Sequence, residues 1–188
     1  DIPVNVNDFF PSTFKNSIFD NIDLTLYTNI KRISVSCFEN NSNLTSITIP
    51  ATITNIENNA FLNCTSLKSV TFQSTSIVTN LGENTFQNCS SLTSISIPSS
   101  ITNISTNCFK GCSQITDIVF NTPDSDLHIS DNAFENTNIS HLTLPNLITN
   151  IGSNSFLNCN SLQKVTFEHD IPIESTKKSN FRHRPIGI

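Results

Sequence analysis

Apolar residues recur along this chain in one repeating phrase. Phenylalanine stands at Phe38, Phe61, Phe86, Phe109, Phe134 and Phe156, at intervals of 23, 25, 23, 25 and 22 residues. Each opens a run such as Phe61, Leu67, Val70, Phe72, with polar residues between the apolar ones. The last two apolar positions of each run are two residues apart, the alternation of a β-strand with one buried face. The segment from the opening Phe to the strand end spans 11 positions in five units and 10 in the fifth. From strand end to the next Phe the spacing is 12 or 14 residues. One half of the unit therefore keeps register while the other absorbs insertions, as a stack of parallel strands requires.

Local signals fill in the unit. Two residues after each Phe stand Asn40, Asn63, Asn88, Gly111, Asn136 and Asn158. Asn and Gly tolerate the left-handed region best, so a positive φ is expected there. The stretch ending at this residue is expected to form a single helical turn. Pro50, Pro98 and Pro145 follow their strands directly and, lacking an N–H, end the ladder. The phrase Ile-Thr-Asn-Ile at 53–56, 101–104 and 148–151 predicts a second short extended segment on the far side of the unit.

The apolar spacing is the L-x-x-L-x-L strand phrase of a leucine-rich repeat. The run Ala60-Phe61-Leu62-Asn63-Cys64-Thr65-Ser66-Leu67, with Phe86 through Pro98, resembles the BspA-type leucine-rich repeats of bacterial and protist surface proteins. The resemblance implies a right-handed solenoid with a parallel β-sheet on its concave face and short extended or helical turns on its convex face. It also implies a binding role, adhesion or partner docking, without catalysis. Residues 1–36 read as a degenerate N-terminal repeat or cap, with Phe14 followed by Asn16 and then Leu24, Leu26, Ile30 and Ile33. Residues 37–167 read as about six repeats. Residues 168–188 read as a C-terminal cap or flexible tail, in which Phe181 falls 25 residues after Phe156 but His183 replaces the expected Asn or Gly. A blunt strand edge at that end invites self-association.

Composition narrows the classes. Asn, Ser and Thr number 27, 26 and 22 of 188 residues, while charged residues make up 13%. Net charge is −5 with no basic cluster beyond Lys177-Lys178 and Arg182-His183-Arg184, which argues against a nucleic-acid partner. No apolar run approaches the ~18–20 residues of a membrane helix. The chain begins at Asp1 without a methionine or leader, which reads as a trimmed or excised piece. The six Cys occupy repeat-equivalent places, Cys64, Cys89, Cys112 and Cys159 in one column and Cys37 and Cys108 in another. They read as buried, reduced packing residues. Reduced thiols favour the cytoplasm over the cell surface. The sequons at Asn40, Asn43, Asn63, Asn88, Asn103 and Asn138 are no more than this composition produces by chance. Asp124, Asp126 and Asp131 lack the Gly and Glu of a calcium loop and read as a solvated insertion. His128, His141, His169 and His183 are scattered, and no cofactor, metal or catalytic set can be assembled.

Two candidate sites remain. The outward positions of the strands include Thr48, Ser69, Thr71, Ser94, Ser96, Asp117, Val119, His141 and Thr143, a flat Ser/Thr lattice on the concave face. Such a lattice is either structural or a weak, multivalent protein-binding surface. Separately, Lys164-Val165-Thr166-Phe167 fits the K/R-V-x-F pattern that docks regulators onto protein phosphatase 1, and 68–72 fits a looser version. Val165 and Phe167 also hold core positions of the last regular strand, where they are expected to be buried. The function expected is a non-catalytic protein-interaction scaffold. An intracellular phosphatase regulator and a surface adhesin are its two specific forms.

Overall fold

The computed structural model describes residues 6–123 and 125–168. Phe181, His183, His169 and Asp124 lie outside the described residues. The chain winds as a solenoid whose coils each supply a front strand, a back strand and a ridge of turns. The front strands are β1 (Asn21–Ile22), β3 (Ser46–Ile49), β5 (Ser69–Phe72), β7 (Ser94–Ile97), β9 (Asp117–Phe120), β11 (His141–Leu144) and β13 (Lys164–Phe167). The back strands are β2 (Arg32–Ile33), β4 (Asn55–Ile56), β6 (Asn80–Leu81), β8 (Asn103–Ile104), β10 (Leu127–Ile129) and β12 (Ile148–Ile151). All strand pairs are parallel. The Ile-Thr-Asn-Ile phrases fall on β4, β8 and β12, where the second extended segment was expected.

The ridge departs from the expected helical turn. Positive φ does occur at Asn40, Asn63, Asn88, Gly111, Asn136 and Asn158. A second left-handed residue also precedes each Phe by two positions: Ser36, Asn59, Asn84, Asn107, Asn132 and Asn154. Two left-handed residues four apart cannot sit in a right-handed helical turn, so the ridge is built of turns. Among the described residues the only helix is a 3-10 turn at Leu24–Leu26.

Each left-handed position brings its asparagine side chains into a column. The Asn63 amide donates to Asn40 Oδ1 at 2.9 Å, and Asn88 donates to Asn63 Oδ1 at 2.9 Å. In the other column Asn84 donates to Asn59 Oδ1 at 2.9 Å and Asn107 to Asn84 Oδ1 at 3.0 Å. An amide can donate to one neighbour and accept from the next, so like coils extend the ladder; the second column stops at Asn107, whose Oδ1 is buried without a partner. Gly111 interrupts the first column: a Cβ there would stand 2.4 Å from Asn88 Oδ1.

The interior is a stack of like on like. Rings from Phe14 through Phe156 form one column with centroids 5.2–5.4 Å apart, and from Phe38 onward the planes lie within 11° of parallel. That separation suits offset stacking. All six cysteines are buried and free. The thiols of Cys64, Cys89, Cys112 and Cys159 donate to the carbonyls of Phe38, Phe61, Phe86 and Phe134, one coil back, at 3.0–3.3 Å. Burial pushes the thiols of Cys37, Cys64 and Cys112 up to about 12. Thr137 stands in the same column and its hydroxyl donates to Phe134 O, the acceptor Cys159 also uses.

The two sheets differ in continuity. The back strands form one six-stranded sheet in the order β12-β10-β8-β6-β4-β2. The front strands, expected as one sheet, fall into three ladders: β1-β3-β5, β7-β9 and β11-β13.

Candidate functional site

The front strands present one side-chain set to the core and the other outward, because successive residues alternate across a strand. Ile47, Val70, Ile95, Ile118 and Leu142 are buried. Of the outward set, Ser69, Thr71, Ser94, Ser96, Asp117, Val119, His141 and Thr143 are exposed and Thr48 is half-buried. Register turns them into columns. Ser46 lies opposite Ser69, Ser94 opposite Asp117, and His141 opposite Lys164. Thr48 lies opposite Thr71, Ser96 opposite Val119, and Thr143 opposite Thr166. The columns change character along the axis. On β3, β5 and β7 they carry only Ser and Thr, with Asn21 of β1 opposite Ser46; toward the C-terminus they bring Asp117, His141 and Lys164 onto neighbouring strands.

The hydroxyls are partly committed to one another. Thr143 and Thr166 hydroxyls share a hydrogen bond at 3.0 Å, and Ser96 donates to Asn121 Oδ1 at 3.3 Å. His141 Nδ1 reaches only the neighbouring Ser140 hydroxyl, at 3.2 Å. Among the described residues no cluster of three or more His, Cys, Asp or Glu could hold a metal. None of the described helices is long and apolar enough to cross a membrane.

An open cleft of about 310 Å³ runs between β5 and β7. Ser69, Thr71, Ser94 and Ser96 line it, as the strand pattern allows, together with Gln73 and Asn121. Strand alternation alone does not find the last two, because they lie just beyond strand ends. The signal for them was the 14-residue spacing after Phe72 and Phe120, two longer than elsewhere.

The segment 164–167 is β13 and pairs with β11 over all four residues, His141 with Lys164 through Leu144 with Phe167. The expectation that both of its apolar residues are buried does not hold. Val165 is half-buried and Phe167 is 46% exposed. The reason is position: among the described residues no coil stacks beyond β13, so residues equivalent to buried Ile97 and Leu144 keep one open side. The looser copy at 68–72 lies mid-solenoid, with Val70 buried between neighbouring coils.

Sequons also acquire surroundings. Asn63 and Asn88 are tied into the amide column, and Asn103 donates to Asn80 Oδ1 at 3.1 Å. Asp131 serves the fold, its Oδ1 accepting from the Ser153 N–H at 2.7 Å.

A repeated strand phrase, a stacked Phe column and cysteines bonded from coil to coil describe one architecture. The family model for the BspA type leucine rich repeat region matches in six copies, over residues 1–90 and 79–186. The chain belongs to the BspA-type leucine-rich repeat family. Solved relatives within this fold include a leucine-rich cell surface protein of Faecalibacterium prausnitzii, 32% identical with a TM-score of 0.55, covering 73% of this chain and 43% of that one. The pneumococcal vaccine antigen PcpA is 26% identical with a TM-score of 0.60, covering 74% and 36%. A leucine-rich repeat protein of Bacteroides ovatus is 27% identical with a TM-score of 0.52, covering 73% and 29%. The BspA-type chain thus spans less than half the length of each of these three proteins. No curated protein matches it.

Proposed function

We propose that this chain is a non-catalytic protein-binding scaffold displayed on a cell surface, with the front face as its binding surface. The observation that carries the reading is the exposed front lattice: eight outward side chains held in register on short paired strands. Its hydroxyls offer donors and acceptors to a polar protein surface, and repetition lets weak contacts add. The relative described as a cell surface protein supports the location.

The test uses the intact chain on beads applied to host-type cell monolayers and matrix proteins. Thr71→Glu with Ser96→Glu should abolish retention, while Thr54→Glu on the opposite face should leave it intact. Equal retention by both variants removes the front face from the mechanism. Labelling of intact producing cells with an impermeant reagent should find the protein, and failure to label it would count against surface display.

A second reading has its own observation. Lys164 is exposed and Phe167 is 46% exposed at the end of the described solenoid, so half of a K/R-V-x-F docking element already faces solvent. Docking of protein phosphatase 1 catalytic subunit would require β13 to leave β11, because the enzyme must accept the strand along its own sheet edge. Capture of that subunit, competed by a free K/R-V-x-F peptide, would favour this reading; no capture would leave 164–167 as repeat core.

A further inference from the structure

The breaks in the front sheet follow a rule. Each coil differs from its neighbours, but every second coil is alike. Pro50, Pro98 and Pro145 close β3, β7 and β11 and stand 48 and 47 residues apart. The strands between them, β5, β9 and β13, are followed by Gln73, Asn121 and Glu168. Each of these three donates its backbone N–H to the last residue of the preceding strand: Gln73 to Ile49, Asn121 to Ile97 and Glu168 to Leu144, at 3.1, 2.9 and 2.8 Å. Proline has no N–H, so the same bond cannot form from β7 to β5 or from β11 to β9.

Pairing follows the prolines. The three strands without proline each pair with the preceding strand over four residues. Of the proline-closed strands, β3 pairs with β1 over two residues, while β7 and β11 have no ladder to the strand before them. The backbone bond that enters a front strand lengthens only at the first break: at β3 Thr45 N–H reaches Asp20 O at 3.0 Å, and across the second break Asn138 N–H reaches Ile115 O at 3.1 Å. Lys68 N–H reaches Thr45 O at 2.8 Å, Thr116 reaches Thr93 O at 3.0 Å and Gln163 reaches Ser140 O at 2.9 Å. Its counterpart across the first break, Thr93 N–H to Lys68 O, is stretched to 3.5 Å. The two 25-residue Phe spacings, 61–86 and 109–134, span these same two breaks.

The other two sides of the coil show no such alternation. The Phe N–H bond to the next coil stays at 2.8–2.9 Å from Phe14 to Phe134. The Phe rings keep their spacing across both breaks. The back sheet runs unbroken past them.

We infer that the front face is built of two-coil modules, β3-β5, β7-β9 and β11-β13, and that it opens and closes at the joints between them, with the Phe ridge and back sheet as the hinge. The cleft of about 310 Å³ lies at the first joint, which is where opening would admit a ligand. Local opening is expected where backbone bonds are missing and neighbouring sides are fully bonded. The inference concerns the fold and stands apart from the proposed function.

Residue-resolved amide hydrogen exchange on the full chain tests it. Thr93 should exchange on the order of tenfold faster than Lys68 and Thr116, its counterparts within modules. Thr102, whose N–H bonds Thr79 O at 2.9 Å on the opposite side of the same coil, should remain protected. Pro98→Ala restores the missing donor and should narrow the gap at Thr93. Gln73→Pro should create a joint between β3 and β5 and speed exchange at Lys68. Equal protection of Thr93, Lys68 and Thr116 overturns the hinge. Fast exchange at Thr93 that Pro98→Ala leaves unchanged overturns the role given to the proline.

Discussion

The two ends of the described solenoid treat the same column of rings differently. At the N-terminal end the stack is closed by rings turned on edge. Phe9 meets Phe14 at 5.0 Å and 76°, Phe9 meets Tyr27 at 5.5 Å and 65°, and Phe19 meets Phe14 at 5.4 Å and 80°. Phe9, Phe14, Leu24 and Tyr27 are all buried there. At the other end of the described chain Phe156 continues the parallel stack on Phe134 but is only half-buried, and Phe167 is 46% exposed. Phe156 and Phe109 occupy the same place in the repeat. What differs is whether coils among the described residues cover them on both sides. Burial in a solenoid is therefore a property of the neighbours, and a repeat residue stabilises in proportion to the coils on both its sides.

The largest expected effect tests the closed interior as a whole. Unfolded thiols release their protons near pH 8.5, whereas burial holds those of Cys37, Cys64 and Cys112 to about 12. The folded state thus binds more protons between those values, and its stability falls as pH rises through that window. Urea unfolding at pH 7 and pH 10 should show a loss of several kcal/mol, on the order of 1–2 kcal/mol per thiol. Stability independent of pH in that range would mean that the thiols are open to water.

Single rings come next. Phe109→Ala and Phe9→Ala should each cost about 3–5 kcal/mol by chemical denaturation, since both are buried on all sides. A cost at Phe9 well below that at Phe109 would mean the edge-on rings close the end poorly. Gly82→Ala should cost about 1–3 kcal/mol, because its Cβ would stand 2.6 Å from the backbone nitrogen of Asn58 in the coil before. Among the described residues Phe156 is packed on one side, so Phe156→Ala should cost about half of Phe109→Ala. Phe167→Ala should cost less than about 1 kcal/mol. A cost at Phe156 equal to that at Phe109 would show the C-terminal end to be closed in solution.

Much of this was legible in the residue order. The strands around Ile47, Val70, Ile95, Ile118, Leu142 and Val165 follow from alternation, and the left-handed residues after each Phe follow from Asn and Gly. The second left-handed position was also written in the chain, as Asn59, Asn84, Asn107, Asn132 and Asn154, but a composition rich in Asn hides a periodic one. The front face was legible residue by residue, yet its division was not. Pro98 announces the end of a strand; that the same proline removes the bond to β5 appears only when the two coils lie side by side.

The sequence by itself determined the coil: its length, its strands, its buried Phe and Cys columns and the polar face between them. These rest on local preferences and a period, both carried by the chain alone. Tertiary structure decided the rest. It chose which asparagines hold one another, where the front ladder parts while the back stays whole, and that Phe167 faces solvent although Leu144 does not. Each of those outcomes depends on the distance between coils 22–25 residues apart in the chain, a quantity that no single repeat contains.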